Sequence, residues 1–297
     1  SGIAKDLNKM SAKSSIKLLV SSDAQGQLYK WVAILTGSKN ALKGAGFFLG
    51  GALLTLLGFR GAILAMTAML VLVWIFSMIS LKKDLGKAKS KPKFTEIFSK
   101  SRAINYLSAA RMFLFGSRDV WFVVALPVYL ASNFGWDHWY VGGFLALWVI
   151  GYGFVQSVAP KITQSRSGRV PDGSDALIWA LVLGTTPVLI GVSLTYAWYP
   201  ATTLLAGLLV FCVLFAINSS LHSYLIVSYA GRDGVSLDVG FYYMANAMGR
   251  LIGTVLSGWL FQEYGLVMCL WVSAAFILIT ALISIGLPKH HVVVIES

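Results

Sequence analysis

The chain has 297 residues, 57% of them hydrophobic and only 12% charged, with a formal net charge of +12. A soluble domain of this length needs more charge to cover its surface, so the composition indicates an all-α polytopic membrane protein. Nucleic acid is excluded as a partner, because the basic excess divides between inter-helix loops and membrane-depth positions without an aromatic-basic binding pattern.

Residues 1–20 carry Lys5, Lys9, Lys13 and Lys17 at every fourth position, along one drifting helix face. This segment reads as a cavity-lining helix, with an interfacial amphipathic helix as its alternative. A second span runs from Trp31 to Leu57, a turn follows at Gly58-Phe59-Arg60-Gly61, and a third span covers Ala62 to Leu81. The Lys-rich, Pro-broken stretch 82–102 is a cytoplasmic linker between a first unit, residues 1–81, and a second, residues 103–297. The fourth span is expected at about Ala103 to Ser132, the fifth from Trp139 to Pro160 and the sixth from Ala176 to Trp198. The seventh is expected at about Pro200 to Ala230, the eighth at Val239 to Tyr264 and the ninth at Leu266 to Leu287. Basic loops alternate with loops nearly free of Lys and Arg, which puts the central linker and the C-terminus in the cytoplasm.

Shifting the chain by 207 positions superimposes Gly46 on Gly253, Gly51 on Gly258, Gly58 on Gly265, Lys43 on Arg250 and Lys39 on Asn246. Two distant helices thus share a glycine ladder, of the kind that lets membrane helices approach closely, and a cation one turn before it. The same shift sets the seventh span against a segment that would start before Ser1. It therefore predicts a six-plus-six bundle lacking its first three helices, with about nine transmembrane helices present. That architecture resembles the major facilitator superfamily, whose halves are related by an axis along the membrane normal. The run Gly46-Phe47-Phe48-Leu49-Gly50-Gly51 is similar to the superfamily's fifth-helix Gly-Pro-x-x-Gly-Gly motif, with Phe47 in the place of proline.

Membrane depth makes the charges inside these spans informative. A lysine near a bilayer midplane costs roughly 2.5–3.5 kcal/mol, which is tolerated where it faces protein or a watery cavity. Lys43, Arg250 and Arg118 lie near the centres of their spans and are the leading substrate-binding candidates. Lys39, Arg111 and Asn246 lie one to two turns away and could hold a second anionic group, and Lys5, Lys9 and Lys13 complete the set. Asp119 and Asp6 are the acids at comparable depth, each read as a counter-ion or a proton-coupling site. The surplus of positive charge calls for an anionic small molecule. Arginine grips oxyanions bidentately and lysine supplies a compact point charge. His222 reads as a satisfied interior histidine, and Tyr242 and Tyr243 as packing or hydrogen-bonding residues near the cavity. Cys212 and Cys269 have neither metal-site nor redox-pair spacing, so they read as packing residues. No nucleophile–base pair, metal cluster or phosphate-cradling loop is evident, so neither an enzyme nor a cofactor is expected.

Several blocks are unusually polar for transmembrane helices. They are residues 1–13, then Leu35-Thr36-Gly37-Ser38-Lys39-Asn40-Ala41-Leu42-Lys43-Gly44, then Ala109-Ala110-Arg111-Met112-Phe113-Leu114-Phe115-Gly116, then Arg118-Asp119-Val120-Trp121-Phe122. Through these blocks the chain resembles the ArsJ family of organoarsenical exporters over essentially its whole length. The resemblance implies efflux of 1-arseno-3-phosphoglycerate across a bacterial inner membrane, conferring arsenate resistance. It further implies a functional partnership with a glyceraldehyde-3-phosphate dehydrogenase that makes the arsenical. A monomer is expected. The alternatives are transport of another organic phosphate or carboxylate, or an anion sensor that moves nothing.

Overall fold

The computed structural model describes residues 2–21, 24–80, 99, 101–164, 170–231 and 235–289, and the side chains of these from Met10 onward. The expected linker therefore lies almost wholly outside the described residues. So do the loop at 165–169 and the tail beyond 289.

The described chain is all helical. Eight elements follow one another: α1 (Gly2–Leu19), α2 (Gln25–Ser80), α3 (Arg102–Phe122), α4 (Ala125–Phe134), α5 (His138–Gln164), α6 (Gly173–Thr195), α7 (Pro200–Tyr229) and α8 (Val235–Ser284). The expectation of about nine spanning helices is not matched element for element. Among the described residues six helical stretches are long and apolar enough to cross a membrane, and α1 is not one of them. Two expected boundaries, at Gly58 and Gly265, are kinks inside the long elements α2 and α8 rather than loops. The expected fourth span is interrupted between α3 and α4 at Val123–Val124. Six long apolar stretches nevertheless make this a multi-pass membrane protein.

The two kinks fall on glycines that the 207-residue shift superimposes. Gly58 has φ 65° and ψ 178°, and Gly265 has φ 76° and ψ −176°. That combination is open essentially to glycine alone. The two positions thus interrupt their helices with nearly the same backbone conformation.

Packing centres on α3 against α8, and on α2 against α5. Close approach is made by glycines. A Cβ on Gly249 would overlap the Met112 carbonyl, one on Gly253 would lie 2.7 Å from the Gly116 carbonyl oxygen, and one on Gly153 would overlap backbone atoms of Ala41 and Gly37. The glycine ladder is only partly used in this way. Gly46, Gly50 and Gly258 have nothing within 4 Å of an added Cβ, and at Gly51 only Trp139 comes near, at 3.9 Å. Apart from Gly253, the close backbone contacts named here fall on Gly37, Gly153 and Gly249, outside the ladder. An aromatic cluster packs between α3, α5 and α7, with Trp121 edge-on to Phe211 at 5.0 Å and Trp148 stacked on Tyr152 at 5.9 Å. It lies directly behind the charged groups described next.

Candidate functional site

The chain of cations predicted on four separate helices comes together around one path. A central chamber of about 130 Å³ is lined by Lys39 and Lys43 of α2, Arg111 and Arg118 of α3, and Asn246 and Arg250 of α8. An outer chamber of about 300 Å³ shares Asn40, Lys43, Arg118, Tyr152 and Arg250 with it, and adds apolar walls at Phe47, Phe122, Leu145 and Val149. A third chamber, about 360 Å³, is lined by Lys13 of α1 and shares Thr36, Lys39 and Tyr243 with the central one. Six basic side chains therefore line the three chambers, and neither Asp nor Glu is among their described lining residues. The side chains of Lys5, Asp6 and Lys9 lie outside the described residues.

The arginines are held by their neighbours. Asp119 is fully buried, and both its oxygens are engaged. Arg118 places Nη2 2.5 Å and Nε 2.6 Å from Oδ1, while Arg250 donates from Nε to Oδ2 at 2.8 Å. Arg250 has no adjacent acid in sequence, yet it has one in space, 131 positions away. Its side chain remains 45% exposed against 12% for Arg118, so Arg250 keeps donor capacity facing the cavity. The trio carries one net positive charge.

Arg111 is more enclosed. Nε donates to Asn246 Oδ1 at 3.1 Å and Nη1 to the Ser219 carbonyl at 3.2 Å, and the guanidinium lies 3.8 Å from the Phe115 ring centroid. Arg111 and Asn246, both candidates for a second anionic group, are thus bonded to each other. Arg118 also lies over the faces of Phe115 and Phe215, at 5.0 and 5.2 Å. Such stacking fixes a planar guanidinium while leaving its edge free for oxyanions.

A neutral relay that charge reasoning missed forms one wall. Asn40 Nδ2 donates to Gln156 Oε1 at 2.7 Å, Gln156 Nε2 donates to Ser219 Oγ at 3.1 Å, and the Tyr152 hydroxyl donates to the same Oγ at 2.8 Å. Gln156 is fully buried, following the largely apolar run from Val141 to Val155, and an amide after such a run is the weak signal sequence offers for it. His222 is fully buried too, but neither ring nitrogen has a hydrogen-bond partner among the described residues. The expectation of a satisfied histidine is corrected on that point. Tyr242 packs in the interior, 5.0 Å from Arg111, whereas Tyr243 lines two chambers.

No family model and no curated protein sequence matches the chain. Solved structures do. A bacterial homologue of the iron transporter ferroportin in an outward-facing state superimposes with a TM-score of 0.65 at 16% identity, and the same state with soaked iron gives 0.67 at 18%. In each case the match covers 91% of this chain and 65% of the other, so the chain spans 65% of the length of those structures. At this identity the likeness establishes the fold alone, one shared with those membrane transporter structures.

Proposed function

We propose that the protein is a secondary transporter of a bacterial inner membrane that exports the anionic organoarsenical 1-arseno-3-phosphoglycerate and so confers arsenate resistance. The observation that carries this reading is the convergence of six basic side chains on connected chambers between α1, α2, α3 and α8. Cations at membrane depth are costly, and an oxyanion that enters such a path offsets that cost. A cargo with carboxylate-derived, phosphate and arsenate oxygens supplies acceptors for Arg118, Arg250 and Lys43 at once.

The long elements fit the same reading. A straight helix of 56 residues would measure about 84 Å, far beyond a hydrocarbon core of roughly 30 Å. We read α2 and α8 as helix pairs reversing at Gly58 and Gly265, which with α1 gives nine crossings of a duplicated bundle. The units 1–81 and 103–297 then belong to its two halves, with the C-terminus in the cytoplasm. Partnership with a glyceraldehyde-3-phosphate dehydrogenase is functional, through the arsenical it produces. Asp119 is read as a permanent counter-ion, since both its oxygens are occupied by guanidinium groups.

The fold-level neighbours are an iron transporter's homologue, but the lining here has the opposite sign from one that would attract a metal cation. Among the described residues no three His, Cys, Asp or Glu side chains gather into a group that could hold one. The test is arsenic retention in arsenate-sensitive cells expressing the protein, with and without the dehydrogenase. Lower retention only when both are present is the expected result. Equal retention with and without the protein would reject the arsenical as cargo.

A further inference from the structure

We propose that the protein is an anion exchanger, whose outward step carries the organic cargo and whose return step carries inorganic phosphate seated in the central chamber. The proposal rests on reading the path as one for anions, and it adds the counter-substrate. The positive charge of the path cannot leave with the cargo. Asp119 holds Arg118 by Nε and Nη2, and Arg250 by Nε. Asn246 and the Ser219 carbonyl hold Arg111, whose guanidinium lies 3.8 Å from the Phe115 ring centroid. Arg111 is only 4% exposed, so its charge stays in the wall. Among the described residues five basic side chains line this chamber, and Asp119 behind them offsets one. A fixed cation that loses its anion inside a membrane protein is left desolvated and uncompensated. Closing the path around cations alone is therefore slow, and an anion taken up from the far side removes that barrier.

The geometry of the chamber selects a small oxyanion. Its volume of about 130 Å³ is room for a few waters at roughly 30 Å³ each, against about 300 Å³ for the outer chamber. A carbon skeleton suits the outer chamber, with its apolar walls at Phe47, Phe122, Leu145 and Val149. Of the residues lining the central chamber only Phe115 is purely apolar, and a guanidinium already covers it. Arg250 gives Nε to Asp119, which leaves the paired Nη groups of a side chain that is 45% exposed. Arg111 takes Asn246 Oδ1, so the amide nitrogen of Asn246 is the group left to donate toward the same chamber. Two parallel guanidinium N–H bonds match two oxygens of a tetrahedral oxyanion, a match that a spherical halide lacks. Inorganic phosphate fits this seat by size, charge and shape. The organic anion uses the same Arg250, so the two occupy the seat in turn. Competition of that kind gives exchange rather than co-transport.

The test uses the purified full chain in liposomes and follows entry of radiolabelled phosphate. The vesicles are loaded with unlabelled phosphate, with chloride, or with a zwitterionic buffer alone, at equal osmolarity. The expected result is entry roughly tenfold or more faster into phosphate-loaded vesicles than into either of the others, the worth of one charge-assisted contact. Arg250→Gln should abolish that stimulation. Arg250→Lys keeps the charge and loses the paired edge, so phosphate and chloride loading should then come within roughly twofold of each other. Equal protein-dependent entry whatever the vesicles hold would overturn exchange and leave the anion path standing. Equal stimulation by chloride in the wild-type protein would overturn phosphate as the counter-substrate, and stimulation retained in Arg250→Gln would overturn the seat. Phosphate entry no faster than into protein-free liposomes would overturn exchange as well. Arsenic retention in cells is read separately, so the cargo and the counter-substrate fail independently.

Discussion

Asp119 shows what decides the site at the scale of single residues. Its buried carboxylate takes a guanidinium on each oxygen, so Arg118 and Arg250 are oriented by one acid while the trio stays positive. Breaking a buried pair from one side costs about 3–5 kcal/mol, because the stranded charges stay desolvated. Asp119→Asn should therefore lower stability by that amount in a denaturant titration in detergent. Arg250→Gln should cost much less, since Arg250 is half-exposed and the Arg118–Asp119 contact survives. Equal losses from both changes would show that Asp119 does not organise the pair. The six cations were legible in sequence because a charge in an apolar run is expensive and therefore conspicuous. The acid facing Arg250 was not, because it lies 131 positions away and nothing local signals it. Gln156 and Ser219 escaped for a different reason: an uncharged polar residue costs less at depth, so it stands out less.

At the scale of elements, glycine spacing gave two matching kinks and an incomplete contact map. The common backbone of Gly58 and Gly265 follows from a conformation only glycine adopts, so this correspondence was readable from aligned glycines. Which glycines are contacts was not readable, because helix rotation decides whether a small residue faces a neighbour or open space. Gly37 and Gly153 cross backbone to backbone where α2 meets α5, and Gly249 does so where α8 meets α3. Gly46, on the predicted ladder, faces nothing within 4 Å of an added Cβ. Gly153→Ala should thus destabilise by roughly 1–3 kcal/mol through overpacking. Gly46→Ala should be neutral, or stabilise by up to about 1 kcal/mol through helix propensity. Unfolding midpoints of the two variants in the same detergent check this, and indistinguishable shifts would count against the crossing.

Across the whole molecule, several hydrogen bonds join residues 14–25 to α7 and the start of α8. Ser14 meets Ser236 at 3.0 Å, Lys17 Nζ donates to the carbonyls of Val227 and Ser228 at 2.6 and 3.0 Å, and Tyr224 donates to Gln25 at 3.2 Å. Toward the other end of the same α2 segment, Phe47, Phe48, Leu49 and Leu54 are exposed. The cation-lined chambers include residues of α2 that lie between these two groups, from Thr36 to Lys43. Sequence composition gave the membrane class and the sign of the cavity, while these contacts join residues about 200 positions apart and had no local signature. The most direct test of anion export is uptake of arsenic-labelled 1-arseno-3-phosphoglycerate into inside-out vesicles containing the protein, compared with vesicles bearing Lys43→Gln or Arg250→Gln. Protein-dependent uptake that either substitution cuts at least roughly tenfold is the predicted result, the worth of a lost charge-assisted contact. Uptake equal in all vesicles, with or without the protein, would contradict the account.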